Sequence, residues 1–205
     1  QGTLEELAQH ASIPVINGLS DQEHPCQALA DLLTIQQKRR KLAGLTLAFV
    51  GDANNVARSL LLASAKVGVN FHLATPSAYA MDEDTVSQAR SAAATSGSRL
   101  LFTRDAWEAV TRADVVYTDV WTSMGQEAES VQRRKDFSAY QVDAGLLSAA
   151  PDAMLMHPLP AHPGEEVAPD ILEGPQSVIF DQAENRLHLQ KAVLARLMKG
   201  NLSRE

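Results

Sequence analysis

Three observations predict an α/β fold: a doubly wound, mostly parallel, Rossmann-like sheet in a three-layer αβα arrangement. Leu45-Thr46-Leu47-Ala48-Phe49-Val50 is a nearly continuous apolar run ending on Gly51-Asp52, the pattern of a parallel strand buried on both faces. Further short apolar runs come after it, separated by segments of helical periodicity. Polar residues gather where these runs end, at Gly51-Asp52, Thr75 and residues 119–125, and ligands of such sheets bind beyond the carboxyl ends of the strands.

In chain order, Thr3-Leu4-Glu5-Glu6-Leu7-Ala8 reads as a short helix with Thr3 and Glu6 as a capping box. Pro14-Val15-Ile16-Asn17 reads as a strand and Gly18-Leu19-Ser20 as a turn, so the opening looks like a chain entered midway. His24-Pro25-Cys26-Gln27 then opens a long helix. Pro25 suits its first turn, Ala28, Leu29, Leu32, Leu33 and Ile35 form its apolar stripe, and Lys38, Arg39, Arg40 and Lys41 complement the dipole at its far end.

Strands are expected near 46–50, 70–74, 99–102, 115–118 and 154–157. Asn54 or Asn55 caps the helix that carries Val56, Leu60, Ala63 and Val67. A polar helix spans 82–94, and Asp105 caps a short one with Trp107 and Val110. Residues 127–140 form a charged helix, and Asp143 starts another. Three prolines and one glycine fix the path of the loop 157–166. Ser177-Val178-Ile179-Phe180 reads as a last strand, and 183–199 as a closing helix stopped by Gly200. The helix at Pro25 and the closing helix are expected side by side, away from the centre of the sheet, with apolar surface exposed.

The chain has 205 residues, 45% of them hydrophobic, enough for a sizeable core. A formal charge of −7 argues against nucleic acid as a partner. No apolar run is long enough to span a membrane, and no basic stretch precedes an apolar one at the start, so neither membrane insertion nor a signal peptide is expected. The single cysteine, Cys26, excludes an internal disulfide and fits a reducing, cytoplasmic setting.

His24 and Gln27 stand at the N–H-rich end of their helix, a seat for an anionic or polarised ligand. An imidazole and a carboxamide there can grip a carbonyl oxygen and an amide nitrogen, or His24 can simply cap the helix. The turn after Val50 lacks the G-x-G-x-x-G of dinucleotide sites and offers Asp52, Asn54 and Asn55, which suit a carboxylate or an amino acid better than a pyrophosphate. Asp119, with Ser123 four residues on, can hold an ammonium group, or Asp119 can cap the segment after it. His157 and His162 lie five apart across prolines with no Cys partner, which is not a metal-ligand pattern. No nucleophile elbow is present, and Cys26 beside Leu29 and Leu32 reads as a small core residue.

Five ordered segments carry a resemblance across nearly the whole chain. They are Asp21-Gln22-Glu23-His24-Pro25-Cys26-Gln27-Ala28-Leu29-Ala30-Asp31, Gly51-Asp52-Ala53-Asn54-Asn55-Val56-Ala57-Arg58-Ser59, Asp119-Val120-Trp121-Thr122-Ser123-Met124-Gly125-Gln126-Glu127, His157-Pro158-Leu159-Pro160-Ala161-His162-Pro163-Gly164-Glu165-Glu166 and Phe180-Asp181-Gln182-Ala183-Glu184-Asn185-Arg186. Together they resemble the aspartate/ornithine carbamoyltransferase family in its ornithine form. The resemblance implies carbamoyl transfer from carbamoyl phosphate to the side-chain amine of L-ornithine, without metal or organic cofactor, giving L-citrulline and phosphate. It implies His24, Gln27 and Arg186 as catalytic groups at the carbamoyl oxygen and nitrogen. It implies Asn55 and the Met124 backbone on the ornithine carboxylate, Asp119 and Ser123 on its α-amino group, and the Leu159 carbonyl at the carbamoyl nitrogen. Pro25, Cys26 and Pro158 join the substrate-binding set, and Gly125 is the hinge of a closing loop. A cytoplasmic homotrimer is the family expectation.

The same resemblance divides the chain. Residues 1–23 would be the tail of a first, carbamoyl-phosphate domain, 24–41 a crossing helix, 42–180 the ornithine domain and 181–205 a second crossing helix. The family's phosphate-binding Ser-x-Arg-Thr-Arg does not occur in this sequence. Pro158 replaces the usual cysteine near the attacking amine, Pro163 a usual arginine, and Ala53 a common glycine. The competing readings are an amino-acid-binding module without catalysis and a sister transferase acting on another amine such as putrescine.

Overall fold

In the computed structural model, residues 1–199 are described. Five strands, β1 (Thr46–Val50), β2 (Asn70–Ala74), β3 (Leu100–Thr103), β4 (Val115–Tyr117) and β5 (Met154–Met156), form one sheet in the order β3-β2-β1-β4-β5. Every pair is parallel, with Leu47 opposite both Phe71 and Val115. The strand order reverses direction between β1 and β4, and their carboxyl ends open a crevice there.

Alternation along the strands builds two cores. Leu47, Phe49, Phe71, Leu73 and Tyr117 face α2 (Pro25–Arg39), α3 (Asn55–Val67) and α4 (Glu83–Ser96). Ala48, Val50, Val116 and Leu155 face α5 (Ala106–Val110), α7 (Ala144–Leu147), α8 (Pro169–Leu172) and the aromatic group of Trp121, Phe137 and Tyr140. The predicted three-layer α/β fold is the one observed. Asn54, not Asn55, caps α3, accepting from the Val56 and Ala57 N–H groups, and Asp82, Asp105 and Asp143 cap α4, α5 and α7.

The ends of the chain depart from expectation. Helix α1 (Gly2–His10) starts at Gly2 with Gln1 as an N-cap that makes no side-chain cap bond, so the Thr3–Glu6 capping box does not form. Pro14-Val15-Ile16-Asn17 is a loop, because no strand lies beside it to complete a ladder. The charged stretch from Glu127 is a 3-10 turn followed by α6 (Ser130–Asp136), which stops where Phe137 enters the core facing α5, α7 and α8. The expected strand at 177–180 reduces to one bridge, Ser177 to Leu155. The Gln182 N–H already reaches the Val178 carbonyl, and α9 (Ile179–Lys199) begins. The expected stop at Gly200 and the end of the 181–205 segment lie outside the described residues.

Helices α2 and α9 do lie side by side. Asn185 donates to Thr34 Oγ1 at 2.9 Å and Gln37 Oε1 at 2.8 Å, and Lys38 pairs with Asp181 at 2.8 Å. But α2 is not held away from the sheet. Ala28, Leu32 and Ile35 are part of the core built on Leu47, Phe49 and Tyr117, and Arg39 reaches the Asp114 carbonyl at 3.0 Å. The exposed apolar surface belongs mainly to α9, with Phe180, Leu187, Leu194 and Met198, joined by Leu29 of α2.

Candidate functional site

The crevice beyond β1 and β4 widens into a cleft of about 590 Å³ between the sheet and the start of α2 and α9. His24, Gln27 and Arg186 line its helix side; Asn55, Asp119, Ser123 and Met124 line its sheet side; Pro158 and Leu159 close one end. Nine of the eleven residues singled out in the sequence therefore share one cavity. Pro25 and Cys26 are not among its lining. The Cys26 thiol is buried and points to the Asn17 carbonyl at 3.4 Å, in a separate small hollow.

His24 is the N-cap residue of α2, but its side chain makes no capping bond. Its backbone N–H donates to Ser59 Oγ at 2.8 Å, which fixes the residue. Nδ1 is buried without a hydrogen-bond partner, as is Nε of Arg186. Burial, and then the nearby Arg186 charge, lower the His24 pKa to about 4, so the ring is neutral at pH 7. The neutral imidazole and the guanidinium line the same cavity. Together they offer a seat for an oxygen that gains negative charge.

Gln27 is less free than the sequence suggests. Its Oε1 accepts from Arg186 Nη1, and its Nε2 donates to Asp31 Oδ1 at 2.8 Å. Asn55 Nδ2 is turned to the Ser20 carbonyl at 2.7 Å. Asp119 accepts from Asn54 Nδ2 and from the Val120 N–H, both at 2.8 Å, and burial raises its carboxyl above the ordinary range. Met124 is 85% exposed on the 121–126 loop, where Gly125 adopts φ +88°, a value that suits glycine. A second hollow of about 630 Å³, lined by Asp52, Asn54 and Arg133, meets the cleft at Asn55, Ser123 and Met124.

The loop after β5 is internally tied. His157 is buried and its Nδ1 accepts from the Leu159 N–H at 3.0 Å, which leaves Nε2 to face Glu166 Oε1 at 3.2 Å. Burial works to raise the Glu166 carboxyl, but hydrogen bonds from His157 and the His162 N–H outweigh it and hold it low. Among the described residues, His162, Glu165 and Glu166 bring possible ligand atoms within 4.8 Å of one another, without His157. Glu165 is already paired with Arg134 at 2.9 Å.

Sequence reasoning missed two buried groups. Arg133 pairs with Asp52 at 2.7 Å and donates to the Trp121 carbonyl at 3.0 Å, so Asp52 is an internal partner and not a free ligand. Asp31, fully buried, accepts from Gln27, Gln182 and Tyr117. A lone acid on the apolar face of α2, four residues after Gln27, was the available signal.

Comparison with known proteins bears on the same elements. Residues 43–197 match the family model described as aspartate/ornithine carbamoyltransferase, Asp/Orn binding domain, and residues 1–37 match the carbamoyl-P binding domain of that family. An ornithine carbamoyltransferase of Gloeobacter violaceus is 54% identical over 98% of this chain, and one of Pyrococcus furiosus, named anabolic, is 54% identical over 96%. The solved structure of ornithine carbamoyltransferase from Pyrococcus furiosus superposes with a TM-score of 0.94 at 53% identity over 97% of this chain. The chain spans 64% of the Gloeobacter relative and 63% of the Pyrococcus one.

Proposed function

This chain belongs to the aspartate/ornithine carbamoyltransferase family, and from that premise we propose that it carries the amino-acid half of a site transferring a carbamoyl group from carbamoyl phosphate to the side-chain amine of L-ornithine. The observation that carries the reading is the shared cleft: His24, Gln27 and Arg186 face Asn55, Asp119, Ser123 and Met124 across one cavity. The attacking amine adds to the carbamoyl carbon, the carbonyl oxygen gains charge, and phosphate leaves. Neutral His24 and cationic Arg186 stabilise that oxygen, and the Gln27 and Leu159 oxygens accept from the carbamoyl nitrogen. Asp119 and Ser123 take the α-ammonium group of ornithine, and Asn55 with the Met124 backbone its carboxylate. A plain diamine such as putrescine leaves those groups unpaired, which disfavours it.

The reading extends to organisation. Residues 1–23 are the tail of a carbamoyl-phosphate domain, 24–41 and 181–205 the crossing helices, and 42–180 the ornithine domain. The gap between the two family matches, after residue 37 and before 43, supports a boundary at the end of α2. A cytoplasmic homotrimer in arginine biosynthesis is the proposed setting. The Pyrococcus relative is named an anabolic enzyme, which supports the biosynthetic direction. Among the described residues no helix is long and apolar enough to cross a membrane.

The test is a citrulline assay on the natural gene product that carries this chain, with L-ornithine and putrescine compared as acceptors. Turnover with ornithine supports the proposal; turnover with putrescine alone, or none with either, overturns it.

A further inference from the structure

Asp31 ends the first motif-bearing segment and is given no role there, yet Gln27, and through it Arg186, converge on it. It lies fully buried where α2, α9 and β4 meet. Oδ1 accepts from Gln27 Nε2 and Gln182 Nε2, both at 2.8 Å, and Oδ2 accepts from the Tyr117 hydroxyl at 2.9 Å. In this arrangement both carboxyl oxygens accept, as those of an ionised carboxylate do. Both carboxamides must therefore turn their NH2 ends to Asp31 and their oxygens away. The Gln27 oxygen then receives Arg186 Nη1. The Gln182 oxygen receives the His157 N–H at 2.9 Å, at the start of the turn that carries Leu159. One buried carboxyl thus sets the polarity of two carboxamides, in concert with the Arg186 and His157 donors at their other ends. Through them it sets the place of a guanidinium and of a backbone carbonyl.

We propose that Asp31 is a positioning residue for carbamoyl transfer, locking the Gln27 oxygen, the Arg186 guanidinium and the 157–160 turn into one geometry without touching substrate. The proposal rests on the carbamoyl-transfer reading above. Joining α2 to α9 does not need Asp31, since Asn185 with Thr34 and Gln37, and Lys38 with Asp181, already do so. What those contacts cannot do is choose which end of Gln27 faces the cleft.

Asp31→Asn keeps the volume but adds an NH2 group that cannot accept, so one carboxamide must flip or lose its bond. In the natural gene product, kcat is expected to fall at least tenfold while KM for ornithine stays within twofold. In a Gln27→Ala background the same change is expected to cost less than threefold, because its main lever is gone. A full tenfold cost in both backgrounds, or an equal loss of ornithine affinity, marks a merely structural acid and overturns the proposal. If Asp31→Asn does not fold, Tyr117→Phe carries the test. It keeps the ring and frees Oδ2, and is expected to lower kcat with ornithine KM held; wild-type kcat there overturns the proposal. Absence of transfer by the wild-type protein overturns the reading of the whole site. Wild-type turnover with an unaffected Asp31→Asn variant overturns only the role of Asp31.

Discussion

Asn54 donates from Nδ2 to Asp119 Oδ2 at 2.8 Å, tying the N-cap of α3 to the end of β4 across the crevice. The same Asn54 accepts two α3 N–H groups through Oδ1, so its orientation is fixed and Asp119 is held facing the cleft. Asp119→Ala removes the proposed ammonium partner and also strands the Asn54 amide. Ornithine binding is expected to be lost, and stability to drop by about 1–3 kcal/mol, the cost of an unsatisfied buried donor. Calorimetric titration with L-ornithine and urea unfolding read the two effects separately. Unchanged affinity would remove Asp119 from the ornithine site.

The Asp52–Arg133 pair yields a stability prediction. Both side chains are nearly buried, and Arg133 also lies over the Tyr79 ring at 4.8 Å. Arg133→Met leaves the Asp52 carboxylate buried without its cation and is expected to cost about 3–5 kcal/mol. Adding Asp52→Asn to that variant is expected to recover a substantial part, because the stranded charge is gone. A double variant no more stable than Arg133→Met in urea would show that packing, not charge, dominates here.

What was legible in the sequence is what local pattern encodes. Leu45 to Val50 reads as a buried parallel strand because both faces are apolar, and the caps Asp82, Asp105 and Asp143 announce their helices. His24, Asn55, Asp119, Ser123 and Leu159, singled out by the resemblance of their segments, line one cleft because those segments fall at strand and helix ends that the fold brings together. What was not legible depends on partners far along the chain. Asp31 meets Tyr117 and Gln182, 86 and 151 residues away, and Asp52 meets Arg133, 81 residues away. Nothing local in Ser177-Val178-Ile179-Phe180 separates a strand from the first turn of α9. In the fold the segment makes a single bridge to β5, Ser177 to Leu155, and then turns into the helix.

Two titratable groups, buried Asp31 and half-buried His24, work in opposite directions over one pH window. Burial pushes Asp31 up to about 7 from 3.8, and burial with the Arg186 charge brings His24 down to about 4 from 6.5. Between pH ~4 and ~7 folded Asp31 holds a proton that the unfolded chain has released, so this group makes stability fall as pH rises. His24 does the reverse, since the unfolded chain takes up its proton below pH ~6.5 and the folded ring stays neutral until about 4. Asp31→Asn is therefore expected to gain stability relative to wild type as pH rises from 4 to 7, by at most on the order of 4 kcal/mol. His24→Gln is expected to gain relative to wild type as pH falls across its own window. Urea midpoints measured at several pH values check both, and parallel profiles for all three proteins would refute the assignment.

The last prediction concerns turnover by the 205-residue chain alone. Its cleft offers His24, Gln27 and Arg186 to the carbamoyl end of carbamoyl phosphate, but the sequence holds no Ser-x-Arg-Thr-Arg for the phosphate end. Arg–phosphate bonds are bidentate and charge-assisted. Lacking two such bonds costs about 3–6 kcal/mol of binding, taking roughly 1.5–3 each. That is roughly two to four orders of magnitude in affinity. The chain alone is expected to make citrulline at a trace rate, and fusion of a first domain bearing that motif to its N-terminus is expected to restore turnover. Pro158 lines the cleft beside Leu159, at the position where the resemblance expects a cysteine near the attacking amine. In the fused protein Pro158→Cys is expected to raise the rate further, by returning a thiol able to handle the proton released by the amine. A colorimetric citrulline assay on the three proteins decides the matter. Robust turnover by the short chain would mean that the phosphate is held by residues of this cleft, with Arg134 the first to substitute.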